Sequence, residues 1–469
     1  MNADAGEREG IPRDGPKRSG GHWRVLLAAG LLYSLAWVVV NVYLVAGLQC
    51  EAVTVQGPGG RPCLGTVWTM TEPKAVLLLG HGVTANRGVL ALAANAFARN
   101  GYAAVAIDFW GHGRSRERFD WMSNHEQVNA WCDWARSRFP GLPLAYLGHS
   151  MGGEAGDRAF RDAPKVDAFV SMGMLPQSLP ACKTLLAFGR FEELFSEAQA
   201  RKRADGKADI LVSPYSDHTG EAADPVLIRG ITEWLNGALG IDAGAAFPWL
   251  RWGLLLLAAA AGSLSALAVS QRVVVLLRFP GKPAPSTPLE PPGRLNLFRP
   301  AAWLLRCSGE ASPPRSGRLL TAVTRGVVFS LVLVTLLSWL FTVSVYTCSL
   351  LHPERCAAWL VLSTVMAGLF SVTVRALERL PLKTALQRFA VGALTRAVPL
   401  LVLCLVLQLM GPGIAFLGMM FGILAFVFVF VAAVHALATR AAGDYRSGAV
   451  ACGITLAWLT AFWFPLVWG

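Results

Sequence analysis

Between residues 397 and 439 the chain carries no aspartate, glutamate, lysine or arginine. A run so long and so apolar has few ways to fold. Inside lipid every backbone N–H and C=O must find its partner within the protein, which leaves an α-helix or a closed barrel. Gly411-Pro412-Gly413 interrupts the run with residues that do not hold a helix, so it reads as two helices joined by a tight hairpin. At about 1.5 Å per residue, the second half can cross a ~30 Å hydrocarbon core, and so can the first when extended back to 391. Similar segments lie at 25–50, 252–270, 326–346, 356–374, 391–410, 414–438 and 447–468, about seven expected transmembrane helices.

The chain is 54% hydrophobic and 15% charged over 469 residues, too apolar for one soluble unit, so a soluble domain joined to a membrane domain is expected. The first apolar segment exceeds the ~7–15 residues of a cleavable signal peptide, and Leu48-Gln49 offers no small residue before Cys50. It reads as an uncleaved anchor. Basic residues then orient the set. Arg8, Arg13, Lys17, Arg18 and Arg24 precede the anchor, Arg272 through Arg325 follow the second segment, and Arg375, Arg379, Lys383 and Arg388 follow the fourth. Every second loop is basic, which places those loops in the cytoplasm and exports the stretch after the anchor. The net charge of +12 therefore has a topological origin, and nucleic-acid binding is not expected.

The expected domains are a cytoplasmic tail at 1–24, an anchor helix at 25–50, an extracytoplasmic domain at 51–246, and a six-helix membrane domain at 247–469. The last contains a Pro- and Arg-rich cytoplasmic loop at 279–316. Six of the nine cysteines fall on the outer side in this topology, with Cys50 and Cys63, and Cys348 and Cys356, as short-loop disulfide candidates. Arg396 and His435 lie within apolar segments but near their cytoplasmic ends, where snorkelling is the expected arrangement.

Within 51–246, apolar runs alternate with helix-like stretches. Candidate strands lie at 51–56, 64–70, 74–80, 103–107, 142–147, 166–172, 185–188 and 210–212, with helices at 88–100, 128–138, after Ser150, and at 225–239. This is a doubly wound α/β pattern, in which chemistry gathers at the carboxyl ends of the strands. Three motifs fall there: His81-Gly82-Val83-Thr84, the segment Asp108-Phe109-Trp110-Gly111-His112-Gly113-Arg114-Ser115, and Gly148-His149-Ser150-Met151-Gly152-Gly153. The third has a serine between two glycines at a strand-to-helix junction. That spacing raises an exposed hydroxyl on a turn too tight for Cβ atoms on its flanks.

Together the three motifs resemble the α/β-hydrolase superfamily, in particular its monoacylglycerol-lipase-like, serine-aminopeptidase-like and dienelactone-hydrolase-like branches. The resemblance covers about residues 53–239 and implies a nucleophile, an acid and a histidine in that chain order. Ser150 takes the place of the nucleophile. His218 is the base, as the only histidine between Ser150 and the membrane segments that follow. The family sets its acid in a Gly-x-x-Asp turn, where this chain has Gly189-Arg190-Phe191-Glu192. Glu192 departs from the commoner aspartate, and Glu193 and Asp209 remain alternatives.

Backbone N–H groups of Met151 and Val83 would form the oxyanion hole. No cofactor or metal is required. The short stretch between 172 and 185 leaves no room for a large cap, so an open site is expected. The expected activity is a membrane-anchored serine hydrolase of esterase or lipase type, cleaving a lipid, acyl or cell-envelope ester through an acyl-enzyme. A serine peptidase acting on peptide ends, or a silent binding domain on a membrane scaffold, are the alternatives.

Overall fold

The computed structural model describes residues 20–70, 72–83, 85–277, 319–341, 353–377 and 379–463. The expected loop at 279–316, Cys348 and nearly all of the N-terminal tail lie outside them. Eight strands form one sheet: β1 (Gln49–Gln56), β2 (Pro62–Thr69), β3 (Ala75–Gly80), β4 (Tyr102–Asp108), β5 (Leu144–His149), β6 (Ala168–Met172), β7 (Lys183–Phe191) and β8 (Asp209–Asp217). Their spatial order is β1-β2-β4-β3-β5-β6-β7-β8. β1 and β2 pair antiparallel, β2 runs antiparallel to β4, and every later pairing is parallel.

Every residue of β3, β4, β5 and β6 is buried, because helices cover both faces of the sheet. The two-residue period of a strand divides Ala75-Val76-Leu77-Leu78-Leu79 between two cores. Leu77 and Leu79 join one with α2 (Ala91–Arg99) and α6 (Pro225–Leu239), whereas Val76 and Leu78 join the other with α3 (Asn124–Arg138) and α4 (Met151–Phe160). Helix α6 starts and stops where its sequence dictates. Asp224 caps the N–H groups of Val226 and Leu227, Pro225 occupies the first turn, and Gly240 closes the end in the left-handed conformation. Helix α5 (Glu197–Ala204), opened by a Ser196/Gln199 capping box, is a short polar helix that the apolar pattern did not signal.

The other helices are α1 (Gly20–Trp37), continued by a π-helical stretch Val38–Tyr43, then α7 (Trp249–Leu276), α8 (Leu319–Leu340), α9 (Pro353–Leu377), α10 (Ala385–Gln408), α11 (Ile414–Ala442) and α12 (Tyr445–Trp463). Six spans are long and apolar enough to cross a membrane: Trp23–Tyr43 and α7 through α11. The seventh expected segment forms α12 but is not among the six within the described residues. Its Ala449, Cys452 and Trp458 are buried in the bundle core with Tyr33, Phe329, Leu333, Phe370 and Val434. His435 departs from the snorkelling expectation. It is 1% exposed, because α12 crosses it at Gly448, where a Cβ would press on the ring.

The two parts share a core. Leu44 at the end of the first span, and Trp252 and Leu255 in α7, belong to the same cluster as Phe97, Ile231 and Leu235. Arg99 donates to the Ala46 carbonyl at 2.7 Å and to that of Leu44 at 3.3 Å, occupying carbonyls that the end of the span leaves free.

Cys50 and Cys63 are both free thiols, contrary to the short-loop pairing expected from their spacing. The antiparallel register explains it. Cys63 faces Val55 and Cys50 faces Trp68, so the two cysteines sit at opposite ends of the β1–β2 pair. Cys132 and Cys182 are also free.

Candidate active site

Ser150 stands between β5 and α4 with φ 53° and ψ −117°, a backbone region that non-glycine residues rarely occupy. The turn survives because its flanks lack side chains. A Cβ on Gly148 would overlap the Gly152 carbonyl, and one on Gly152 would overlap the Gly80 carbonyl. Ser150 N is held by Met172 O at 2.9 Å, which locks the turn to β6. Among the described residues, neither the Met151 N–H nor the Val83 N–H donates to a protein acceptor. Met151 opens α4, whose dipole favours negative charge there.

The other two motifs serve as framework. Asp108, 1% exposed, accepts the backbone N–H groups of Arg87 at 2.8 Å and Arg114 at 3.0 Å, which ties the segment after β4 to the one after β3. His112 Nε2 donates to the Val83 carbonyl at 2.5 Å, fixing the peptide beside Ser150. His81 accepts the Phe109 N–H at 3.1 Å. Burial holds both His81 and His112 below the ordinary histidine range, so they are neutral frame members.

Glu192 lies in the turn after β7, and His218 directly after β8. His218 Nδ1 donates to Glu192 Oε2 at 2.9 Å and lies 3.1 Å from Oε1. Leu194 N donates to Oε1 at 2.8 Å. Burial opposes ionisation of Glu192, but the hydrogen bond and charge of His218 outweigh it and hold the carboxyl below its ordinary range. The alternatives are engaged elsewhere: Glu193 accepts the backbone N–H of His218 at 3.0 Å, and Asp209 accepts from Trp234 at 2.7 Å. The His149 ring, one residue before Ser150, lies against the His218 ring at 4.9 Å with a tilt of 35°, and its Nε2 donates to the His218 carbonyl at 2.9 Å. Burial pushes His149 down to about 4, so it acts as a neutral donor. No hydrogen bond joins Ser150 Oγ to His218 among the described residues. Such contacts commonly tighten only when substrate is bound.

Glu221 was not anticipated. It is fully buried, accepts the Gly189 N–H at 2.7 Å, and directs Oε2 toward His149 Nε2 at 3.5 Å. Burial and the neighbouring Glu192 charge push its carboxyl well above the ordinary range. No sequence signal marked it beyond an acid three residues after the histidine. His149, His218 and Glu221 bring ligand-type atoms within 4.8 Å of one another, but both imidazoles already have partners in Glu192 and the His218 carbonyl.

The expected open face is partly occupied. The link between β6 and β7 is short, as anticipated, but the tip of the α10–α11 hairpin rests on the turn that carries His218. The Phe416 ring meets the His218 ring edge-on at 5.5 Å, and Thr219 Oγ1 lies 2.8 Å from Met419 Sδ. The apolar helices thus border the site.

A protein-family profile described as serine aminopeptidase, S33, matches residues 71–228. A monoacylglycerol lipase from Mycolicibacterium smegmatis is 35% identical over 102 residues, which are 21% of this chain and 36% of that protein, so the match spans about a third of the relative. An esterase from Pyrococcus furiosus is 15% identical with a TM-score of 0.37, covering 41% of this chain and 94% of its own. An α/β serine hydrolase without lid from Xanthomonas campestris is 18% identical with a TM-score of 0.35, covering 41% and 94%. The strand order and the Ser150 turn agree with the profile match over residues 71–228 and support an α/β-hydrolase domain there, beside six helices apolar enough to span a membrane.

Proposed function

We propose that this chain is a membrane-anchored serine hydrolase that cleaves an acyl ester through Ser150, His218 and Glu192. The observation that carries the reading is the buried Glu192–His218 pair, packed through the His149 ring next to the strained turn of Ser150. In this reading His218 Nε2 takes the Ser150 proton as Oγ attacks the acyl carbon. Glu192 holds Nδ1–H in place and stabilises the imidazolium. The Met151 and Val83 N–H groups receive the oxyanion, each such donor being worth about 3 kcal/mol in the transition state. His218 then gives its proton to the leaving alcohol, and water releases the acyl group by the reverse path.

Two observations favour an ester over a peptide end. The site borders apolar membrane side chains, Phe416 and Met419. The carboxylates around His218 are also engaged, Glu192 by the imidazole, Glu221 by Gly189 and Glu193 by His218, leaving none of them to bind a peptide ammonium. The lipase likeness points to a lipid or acyl ester. The domain is assigned to the extracytoplasmic side because the helix ends that meet it, at Trp249, Arg355 and Gln408, are opposite those that carry Arg272, Arg325, Arg375, Arg388 and Arg440.

A membrane-impermeant fluorophosphonate applied to intact cells tests both statements. Wild type is expected to label and Ser150→Ala not to label. Equal labelling of Ser150→Ala would end the serine-hydrolase reading. Labelling of wild type only after lysis would reverse the sidedness.

A further inference from the structure

Several of the hydrogen bonds between the two parts of the chain fall on one element of the site. The α10–α11 hairpin turns through Gly411-Pro412-Gly413, with φ of +95° at Gly411 and +87° at Gly413, values that side-chain-bearing residues rarely adopt. This turn aims the Gly413 N–H at the Glu193 carbonyl, 2.6 Å away. Gln408, in the last turn of α10, donates its amide to Glu193 Oε1 at 3.3 Å and reaches the Ala415 carbonyl at 3.4 Å. Glu193 is 3% exposed, and its other oxygen holds the His218 backbone N–H at 3.0 Å. A continuous relay therefore runs from Gln408 through Glu193 to His218. Phe416 backs the imidazole itself, and Met419, also buried, meets the next residue, Thr219.

We propose that the α10–α11 hairpin is a positioning element of the active site, and that Gln408 and Gly413 hold the Glu193–His218 turn in its working geometry. The membrane helices are then part of the hydrolase rather than only its anchor. This rests on the proposed role of His218 as general base.

A packing contact with no functional role would have no reason to engage both the carbonyl and the carboxylate of the residue that fixes the His218 backbone. The relay also has a pH signature. Burial raises the Glu193 carboxyl above its ordinary range, with Asp217 and Glu192 adding to the rise, while the donors from His218 and Gln408 oppose it. Glu221 faces Glu192 and His149, and Asp224 lines the same cavity as Glu193, Asp217 and Gln408. The hairpin contributes no charged residue, since none occurs between 397 and 439. Removing the Gln408 amide takes away one of two donors that favour the anion, so Glu193 would be protonated at higher pH and its grip on the His218 N–H would weaken there.

The test uses the full chain in lipid nanodiscs with a soluble p-nitrophenyl ester, measured across pH, beside fluorophosphonate labelling and thermal melting. Gln408→Ala is expected to lower kcat about tenfold, leave KM within twofold, and move the acid limb of the kcat profile upward. In a Glu193→Gln background, where residue 193 no longer titrates, Gln408→Ala should no longer move that limb. Gly413→Ala, strained at φ +87°, should lower kcat in the same way and serves as a second probe if Gln408→Ala fails to fold. Folded Gln408→Ala and Gly413→Ala with kcat within twofold of wild type and an unmoved profile would reduce the hairpin to a packing contact. Ser150→Ala separates the two hypotheses: activity surviving in that variant refutes the hydrolase reading itself, whatever the hairpin variants do.

Discussion

Glu192→Gln is the substitution whose consequence the geometry defines most closely. Glu192 Oε1 accepts from Leu194 N at 2.8 Å, and Oε2 accepts from His218 Nδ1 at 2.9 Å. A glutamine at this site keeps its carbonyl oxygen on the Leu194 N–H and so turns its NH2 toward His218. Two donors then face each other unless the imidazole gives up its Nδ1 proton. The ring shifts to the Nε2–H tautomer, which cannot accept the Ser150 proton. Loss of the charge-assisted hydrogen bond alone is worth about 1.5–3 kcal/mol. At 1.36 kcal/mol per tenfold in rate, that is roughly 10- to 150-fold. The wrong tautomer carries the loss further, toward the ~10⁴-fold seen when a triad acid is replaced by its amide. We expect kcat/KM for a p-nitrophenyl ester to fall ~10³- to 10⁴-fold in a variant that still folds, because the amide fills the same volume. Phosphonylation of Ser150 should slow in parallel. If Glu192→Gln retains kcat/KM within threefold while Ser150→Ala is inactive, Glu192 is not the orienting acid, and Glu221 becomes the group to test.

Two further outcomes follow from the packing. Gly173 has φ +62°, and a Cβ there would overlap Glu221 Oε2 and stand 3.0 Å from His218 Nδ1. Gly173→Ala should therefore displace the imidazole, lowering activity about 100-fold and stability by about 1–3 kcal/mol, measured by ester turnover and denaturant unfolding; activity within threefold of wild type would show that the pocket behind His218 is looser than drawn. Cys50 is exposed and Cys63 buried, both as thiols. Maleimide should modify Cys50 in protein prepared without reductant, and peptide mapping should find no Cys50–Cys63 cross-link; recovery of that link would contradict the β1–β2 register.

What the sequence determined by itself was what local chemistry encodes. Uncharged runs marked the helices that can cross a membrane, because hydrocarbon leaves a backbone little choice but to bond to itself. Glycines on both sides of Ser150 marked the turn, because a Cβ at Gly148 or Gly152 has nowhere to go. Continuous apolar runs marked the central strands, and the order of serine, acid and histidine led to Glu192 and His218, which the fold brings to 2.9 Å. Tertiary structure alone decided the rest. Cys50 and Cys63 are near in sequence, yet an antiparallel register holds them at opposite ends of two strands. Glu192 and Glu193 are equivalent as letters, and only the direction of the turn after β7 sends the first to the imidazole and the second to the His218 backbone. Glu221 reads as an ordinary surface acid until α6 and the sheet bury it. The contact of Phe416 with His218 joins residues about two hundred positions apart, and no periodicity or turn signal reports such a meeting. Spacing along the chain sets which conformations a segment can adopt, whereas contacts between distant segments depend on how the finished elements pack, and that is where the borders of this site were drawn.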